Sequence, residues 1–596
     1  MEFGLNSSWS QFISNPSSLL NNVFDKNASN AEAFSNPIMF HFALKEELRK
    51  CLEADVTRLL TIPSLNACEN VESIPNRSIV RFRCMIQDMF DPEIAVVSAK
   101  QIGESGNECF KYSLYSDTLD DCNSIDISEN NKMIDRFKFY CTKIPGENDW
   151  VQLSDCENEM QCSVNDSKRR LESPNDSMKK LKTENDISPE EPTSNVEPNK
   201  ADHSQDSVEM PYAVVKCYES LSQSVKLNDK IEVIGVFDLN GEINAEDVET
   251  ASDQLLTQLT LGEGSNAKPR KSMPIIHAIT VNRLNHNNPL LTNEIWENLS
   301  KSKQFFIKTK KELKALLSKA LFGDDLAAEY LILALISKVC NRRDVIAIGS
   351  LPINFCNLTS LQTNPDYLKR LFSLLSSFTT NSHYLNLTLQ NLNNNQLIPK
   401  KDYEENKLSS TILQISSDTL LFVDETKMTP GQLSNAGLNN FSAVKDIVHK
   451  QQINYDFGFQ RIPFDTDANV VVFSERSSLL SIDCKVSLQF AEAMANVFDV
   501  INDYLSDSLL RDIRIYLTLC KHVEYELSKE MQTFVEHDLV SIMNEASQSS
   551  AKLSIDDLHL LMTLSRLFAT SEGESSCSVA SWKNVKQLEQ SRRSRL

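Results

Sequence analysis

Leu420-Leu421-Phe422-Val423-Asp424-Glu425 is a short apolar run that ends in two acids. An unbroken run of this kind reads as a strand buried on both faces, as in parallel sheets. Val345–Ile348 and Asn469–Phe473 repeat the pattern, with helical and polar segments between them. Short apolar strands alternating with helices predict an α/β domain with a parallel sheet, placed here at residues 341–500. The Asp-Glu ending is the layout of a Walker B element. There the Asp holds magnesium and the Glu polarises the water that attacks a nucleotide phosphate.

That chemistry needs a phosphate cradle, G-x-x-x-x-G-K-[ST], after the first strand of the domain. With Val345–Ile348 as that strand, the next residues are Gly349-Ser350-Leu351-Pro352-Ile353-Asn354-Phe355-Cys356. The second glycine, the lysine and the hydroxyl residue are missing, so nothing is arranged to hold the β- and γ-phosphates. Asp424 and Glu425 therefore read as a degenerate, Walker-B-like pair, and neither ATP hydrolysis nor a bound cofactor is expected. An active ATPase would need magnesium-dependent ATP binding through Asp424.

Working outward, residues 291–340 read as a helical connector containing Lys303–Leu321 and Asp324–Val339, with Asp324 available to cap the second helix. Residues 501–596 return to helix. Asp512–Val540 is amphipathic, and Ser554-Ile555-Asp556-Asp557 opens a further helix whose apolar face is Leu558, Leu561, Leu564, Leu567 and Phe568. The basic string Arg592-Arg593-Ser594-Arg595 stands at the end. Residues 1–68 are also expected to be helical, best over Ala43–Leu60.

Residues 69–290 carry strand signals. Val80, Phe82, Cys84 and Ile86 alternate with Arg81 and Arg83, the period-two pattern of a half-buried strand with the arginines solvated. Arg136–Lys143, Tyr212–Tyr218, Ile231–Phe237 and Ile275–Val281 come next, without a long helix between them. Such a set predicts a small β-barrel of OB-like type, with a four-stranded sandwich as the alternative. Residues 155–208 interrupt it with Ser, Asn, Asp, Glu, Lys and Pro, a composition that reads as a disordered insertion. Inside it, Lys168-Arg169-Arg170 and Lys179-Lys180-Leu181-Lys182 are candidates for a nuclear import signal, weighed against an ordinary solvated charge run. Ser173-Pro174 and Ser188-Pro189 are the kind of dipeptide common in disordered tails.

Composition narrows the function classes. With 41% hydrophobic and 24% charged residues over 596 positions, the chain is an ordinary globular protein with room for two to four domains. Its longest near-continuous apolar run, Tyr330–Ile336, falls far short of the ~20 residues that span a bilayer, so no membrane partner is expected. Met1-Glu2-Phe3-Gly4-Leu5 has no basic region leading into an apolar stretch, which speaks against secretion. The 14 cysteines form no C-x-x-C pair, and Cys156 and Cys162 have no histidine nearby, so reduced thiols and no zinc site are expected. A net charge of -22 repels a phosphate backbone and favours a protein partner over direct nucleic-acid binding. The competing reading is a single-strand binder that uses Arg81, Phe82 and Arg83 as a stacking face. No H-E-x-x-H or G-x-S-x-G motif occurs, and His277 and His559 read as packed or surface residues. Asp88, Asp91 and Glu93 are explained by turn chemistry around Asp91-Pro92 more cheaply than by a metal.

Several longer strings carry a resemblance. They are Val80 through Glu93, Phe139-Tyr140-Cys141 with Pro145-Gly146-Glu147 and Trp150, Leu321-Phe322-Gly323-Asp324 through Leu331, and Arg342-Arg343-Asp344-Val345. Pro399 with Lys401-Asp402-Tyr403 and Asn406, Val423 through Thr426, Arg514 through Thr518, Asp556 through His559 and Lys586 through Glu589 continue the set in order. Together they resemble the minichromosome maintenance (MCM)-binding protein family. The resemblance implies a nuclear, non-enzymatic partner of MCM helicase subunits. It further implies a role in removing the complex from chromatin or protecting free subunits, a link to sister-chromatid cohesion, and only indirect contact with chromatin. It also implies distant kinship with MCM subunits, an OB-like part followed by a degenerate AAA+-like domain and a helical end. It names no partner-binding residue.

Overall fold

The alternation in Ile79–Ile86 takes its place in a ring of strands. The computed structural model describes residues 4–5, 7–20, 37–55, 57–68, 71–102, 108–112, 114–117, 132–152, 212–218, 225–239, 273–343, 346–358, 366–403, 407–490, 497–548 and 555–596. It is a mixed α/β protein with several sheets. The first sheet holds β1 (Ile79–Met89), β2 (Glu93–Ile102), β3 (Glu108–Tyr112), β4 (Lys132–Thr142), β5 (Tyr212–Cys217), β6 (Lys230–Asp238) and β7 (Ile275–Arg283). Its order β1-β6-β7-β5-β4 closes on itself because β1 also pairs with β4; β5 and β7 run parallel, the other ring pairs antiparallel. The ring strands are those read from the sequence. The β2–β3 hairpin, which extends from β4, was not among them.

Val80, Phe82, Cys84 and Ile86 share one core cluster with Phe139, Cys141, Val233 and Phe237. Ile79, Ile234, Val236 and Ile279 lie in a second cluster with Phe12 of α1 (Trp9–Ser14) and Phe40, Leu44 and Leu48 of α2 (Pro37–Ala54). Both faces of the ring are thus used, and the expectation of solvated arginines on β1 is corrected. Arg81 is buried 3.9 Å from Glu232, and the Arg83 guanidinium reaches the Glu147 carboxylate at 3.2 Å.

The second half holds a five-stranded sheet. Ile346–Ile348 is β9, paired with β8 (Asn341–Arg343) in an exposed ribbon, so these residues are not part of the buried first strand expected at Val345–Ile348; Val345 lies outside the described residues. Arg342 ties that ribbon to the carbonyls of Lys450, Gln451 and Thr466. The first strand of the sheet is β10 (Ile353–Cys356). After it come β11 (Asn381–Asn386), β12 (Lys400–Asp402), β13 (Lys407–Ser409), β14 (Thr419–Asp424), β15 (Gln452–Asp456), β16 (Arg461–Asp465), β17 (Ala468–Phe473) and β18 (Cys484–Ser487). The order is β11-β14-β17-β10-β18, with every pair parallel. β10 escaped the sequence reading because Asn354 breaks its apolar run; that amide is buried and accepts a bond from Ser474 Oγ at 3.0 Å. On β14, Leu420 and Phe422 enter one core, Leu421 and Val423 the other, as a doubly buried strand requires.

Helices complete the first of these cores: α3 (Lys303–Ala320), α4 (Asp325–Leu335), α5 (Asp507–His522), α6 (Lys529–Gln548), α7 (Ile555–Ser571) and α8 (Val579–Arg593). Asp324 caps α4 as its sequence suggests, accepting from the amides of Leu326 and Ala327. Asp512–Val540 proves to be parts of two helices, α5 and α6. The basic end is not a free tail: Arg592 pairs with Glu589, and Arg595 grips Asp324 at 2.7 Å.

Candidate functional site

The acid-terminated strand β14 was the sharpest chemical candidate, and its acids are engaged by the neighbouring strand β11 and by loops. Asp424 is fully buried; it accepts from Tyr384 Oη at 2.6 Å, and its other oxygen accepts from the Thr426 amide and hydroxyl at 2.9 and 2.6 Å. Glu425 accepts from Ser478 Oγ at 2.9 Å and the Leu479 amide at 3.0 Å. Burial raises its pKa, outweighing those bonds. The chain after β10 runs Asn357-Leu358-Thr359-Ser360-Leu361-Gln362-Thr363-Asn364-Pro365, without glycine and again without lysine. Among the described residues, no group of three or more His, Cys, Asp or Glu is placed to hold a metal.

The other candidates separate. Asp88 pairs with Lys401 at 2.7 Å, whereas Glu93 joins Arg136, Lys138 and Lys216. His277 is buried, with Nδ1 2.6 Å from Tyr218 Oη, and burial holds its pKa down to about 3. His559 is exposed on α7. Lys168, Arg169, Arg170, Lys179, Lys180 and Lys182 lie outside the described residues, as do both Ser-Pro dipeptides.

What the structure brings together instead is a junction between the ring and the parallel sheet. After β4 the chain lies antiparallel along β11: Ser382 N donates to Gly146 O at 2.8 Å and Asn148 N to Thr380 O at 2.9 Å. Trp150 Nε1 donates to Thr379 O at 2.9 Å, and the Arg514 guanidinium sits 4.1 Å from the Trp150 ring centroid. Glu147 accepts from Arg83 and Asn287, and Asn287 also donates to Asn381. On the far side Lys230 meets Asp418 at 3.2 Å, and Lys521 lies 3.8 Å from the same carboxylate. Burial opposes the charge on Asp418, but Lys230 and Lys521 outweigh it and hold the carboxyl below its usual range. Tyr455 Oη donates to Asn228, and Gln87 donates to Leu408 O. Sequence reasoning missed this junction, although Pro145-Gly146-Glu147 and Trp150 stood out as a string. The assembly is chemically suited to presenting surfaces in fixed relation.

Residues 48–596 match the family model described as the Mini-chromosome maintenance replisome factor. The chain belongs to that family. It is 31% identical to the Mini-chromosome maintenance complex-binding protein of Danio rerio, over 98% of this chain and 97% of that protein. The human protein of the same name is 31% identical over the same shares of the two chains. The Drosophila melanogaster protein is 28% identical over 93% and 94%. The family match covers the ring, the parallel sheet and the C-terminal helices.

Proposed function

We propose that this protein binds the MCM complex and acts in DNA replication as a non-enzymatic partner of the helicase. The observation that carries the reading is end-to-end similarity to relatives named for binding that complex. The geometry supports it. We read the closed ring, in which β1 pairs with β4 and β6 and β5 runs parallel to β7, as an OB-like barrel. We read the parallel order β11-β14-β17-β10-β18 as a degenerate ATPase-like domain, with β14 taken as its Walker-B-like strand and no phosphate-cradle sequence after β10. Such a body can occupy the surface that one helicase subunit offers another, competing by shape and charge rather than by turnover. Release of the complex from chromatin, shelter of free subunits, nuclear residence through the basic clusters at 168–182 and support of cohesion belong to the same proposal.

The test is capture from nuclear extract on the immobilised full-length chain, with and without nuclease. Nuclease-resistant recovery of MCM subunits is expected. No recovery, or recovery only while DNA is intact, would overturn the reading in favour of nucleic-acid binding.

A further inference from the structure

The helices α3 and α8 each pack on α4 and on α7, and a cavity of about 510 Å³ opens between them. Its two long walls are stripes at helical spacing. Ile307, Lys311 and Lys314 follow one another by four and three residues along α3. Asn584, Gln587 or Leu588, and Ser591 do the same along α8. Each stripe covers two turns, ~10 Å at ~1.5 Å per residue. Phe568 of α7 joins them. Phe568 and Leu588 are only partly buried against the core, and Ile307 is 55% exposed outside it. Singly, such residues are ordinary. Three around one hollow leave an apolar surface open to water.

The charged groups of the hollow are held in place. Lys310 is buried, with Nζ 2.9 Å from Glu329, 3.5 Å from Glu572 and 4.0 Å from the Phe568 ring centroid. Lys314 takes the other Glu329 oxygen at 2.9 Å, with 36% of its side chain in solvent. Lys311 is exposed and has no acidic partner among the described residues.

Three lysines thus face two glutamates, and the lining carries one positive charge in excess although the whole chain carries -22. The other bases of the two helices add nothing to it. Lys303 pairs with Glu574, Lys308 with Glu312, Lys586 with Asp538, and Arg592 and Arg593 with Glu589. Lys319 and Lys583 do not line the cavity. That balance decides the class of occupant. A nucleic-acid strand binds through a row of uncommitted cations that track its phosphates, and here one is free. A protein segment needs one carboxylate to meet Lys311 and Lys314, and one apolar side chain to fill the space beside Ile307, Phe568 and Leu588. The Asn584 and Gln587 amides at the opposite rim offer donors and acceptors to its backbone. Ile307, Lys311, Asn584 and Gln587 are all exposed, so the hollow is open, which suits a segment of a macromolecule better than an enclosed small ligand.

We propose that the hollow between α3 and α8 is a docking groove for a short acidic segment of a protein partner. One bulky apolar residue of the segment enters the groove, and one carboxylate pairs with Lys311 and Lys314. Resting on the function proposed above, that partner is a subunit of the MCM complex.

The experiment uses the full chain and purified MCM complex, with binding measured by interferometry. Lys311→Glu is expected to weaken binding by at least ~10-fold, and Ile307→Ser by less, with the melting temperature unchanged because both side chains stand in solvent. Lys311→Arg should keep the affinity. Lys583→Glu, the same charge change on α8 outside the groove, should bind as the unaltered chain does. On an array of overlapping peptides that tile the MCM subunits, the chain should retain acidic peptides containing a bulky apolar residue, and Lys311→Glu should lose them. Unchanged affinity in both Lys311→Glu and Ile307→Ser, or an equal loss in Lys583→Glu, sinks the groove while leaving MCM binding intact. Retention of basic peptides alone overturns it as well. An unaltered chain that does not bind MCM sinks both readings. A single-stranded oligonucleotide whose binding Lys311→Glu abolishes would replace the peptide with a nucleic acid.

Discussion

Asp424 shows how one buried carboxylate can look catalytic and serve structure. Its two oxygens accept three bonds, from Tyr384 and from the amide and hydroxyl of Thr426. Asp424→Ala leaves those donors without their acceptor, and each buried unsatisfied polar group costs roughly 1–3 kcal/mol. The expected outcome is a urea midpoint lowered by a stability loss in that range. Adding magnesium and ATP should leave the melting temperature of the unaltered chain unmoved; a rise that Asp424→Ala abolishes would restore the hydrolase reading. At the same scale, Glu329 is a buried anion gripped by Lys310 and Lys314, each at 2.9 Å. Glu329→Ala strands Lys310 in a buried position, with Glu572 at 3.5 Å as its remaining ion partner and the Phe568 ring beside it. Breaking a buried pair on one side only should cost about 3–5 kcal/mol in equilibrium unfolding.

Among elements, the segment 146–150 along β11 is the one whose loss would be felt farthest. An open sheet edge presents unpaired backbone groups, and this segment covers that edge while joining the ring to the sheet. Gly146 has φ 68°, and a Cβ there would stand 2.7 Å from Ser382 O and 2.6 Å from His383 Nε2. Gly146→Ala therefore meets both backbone strain and a backbone atom that cannot step aside. Faster hydrogen exchange at the Asn148 and Ser382 amides is expected, ahead of any change in the ring amides of β6 and β7. Unchanged exchange at both amides would show that the segment tolerates a side chain.

For the whole molecule, pH reports how much ionisable surface folding has buried. Burial lowers the pKa of His277 to about 3 and of His522 to about 4, and lowers those of His286 and His383 as well. Each native imidazole stays neutral at a pH where the unfolded chain, with its ordinary value of 6.5, takes up a proton. Their stabilisation is complete above 6.5 and drains away as pH falls from there toward the folded values. Asp467 works in the opposite sense: burial and Asp418 raise it to about 6, so its contribution is complete below 3.8 and is lost as pH rises through 6. Four histidines against two carboxyls, Asp467 and the likewise raised Glu425, predict a melting temperature that declines between pH 6.5 and 5. Asp467→Asn should raise the melting temperature at pH 8 and lose that advantage in acid. A flat profile over this range would mean that the histidines are hydrated in the native state.

Much of this architecture was legible in local pattern. Period-two alternation exposed the ring strands, an unbroken apolar run exposed β14, and Asp324 marked the start of α4. Where a polar residue is buried, pattern misleads: Asn354 hid β10, and Ile346–Ile348 looked like core yet lies in an exposed ribbon. The sequence by itself determined which faces must leave water, and its length of collinear similarity determined the family. It could not say what those faces meet, because the junction is built from residues such as Gln87 and Leu408, which lie 321 positions apart. Only the tertiary structure decided that Asp424 is an acceptor for Tyr384 of β11 and for its own following loop, that Arg81 is covered and that Phe459 is not. Burial is settled by long-range packing, and a local run of residues carries no record of its partner.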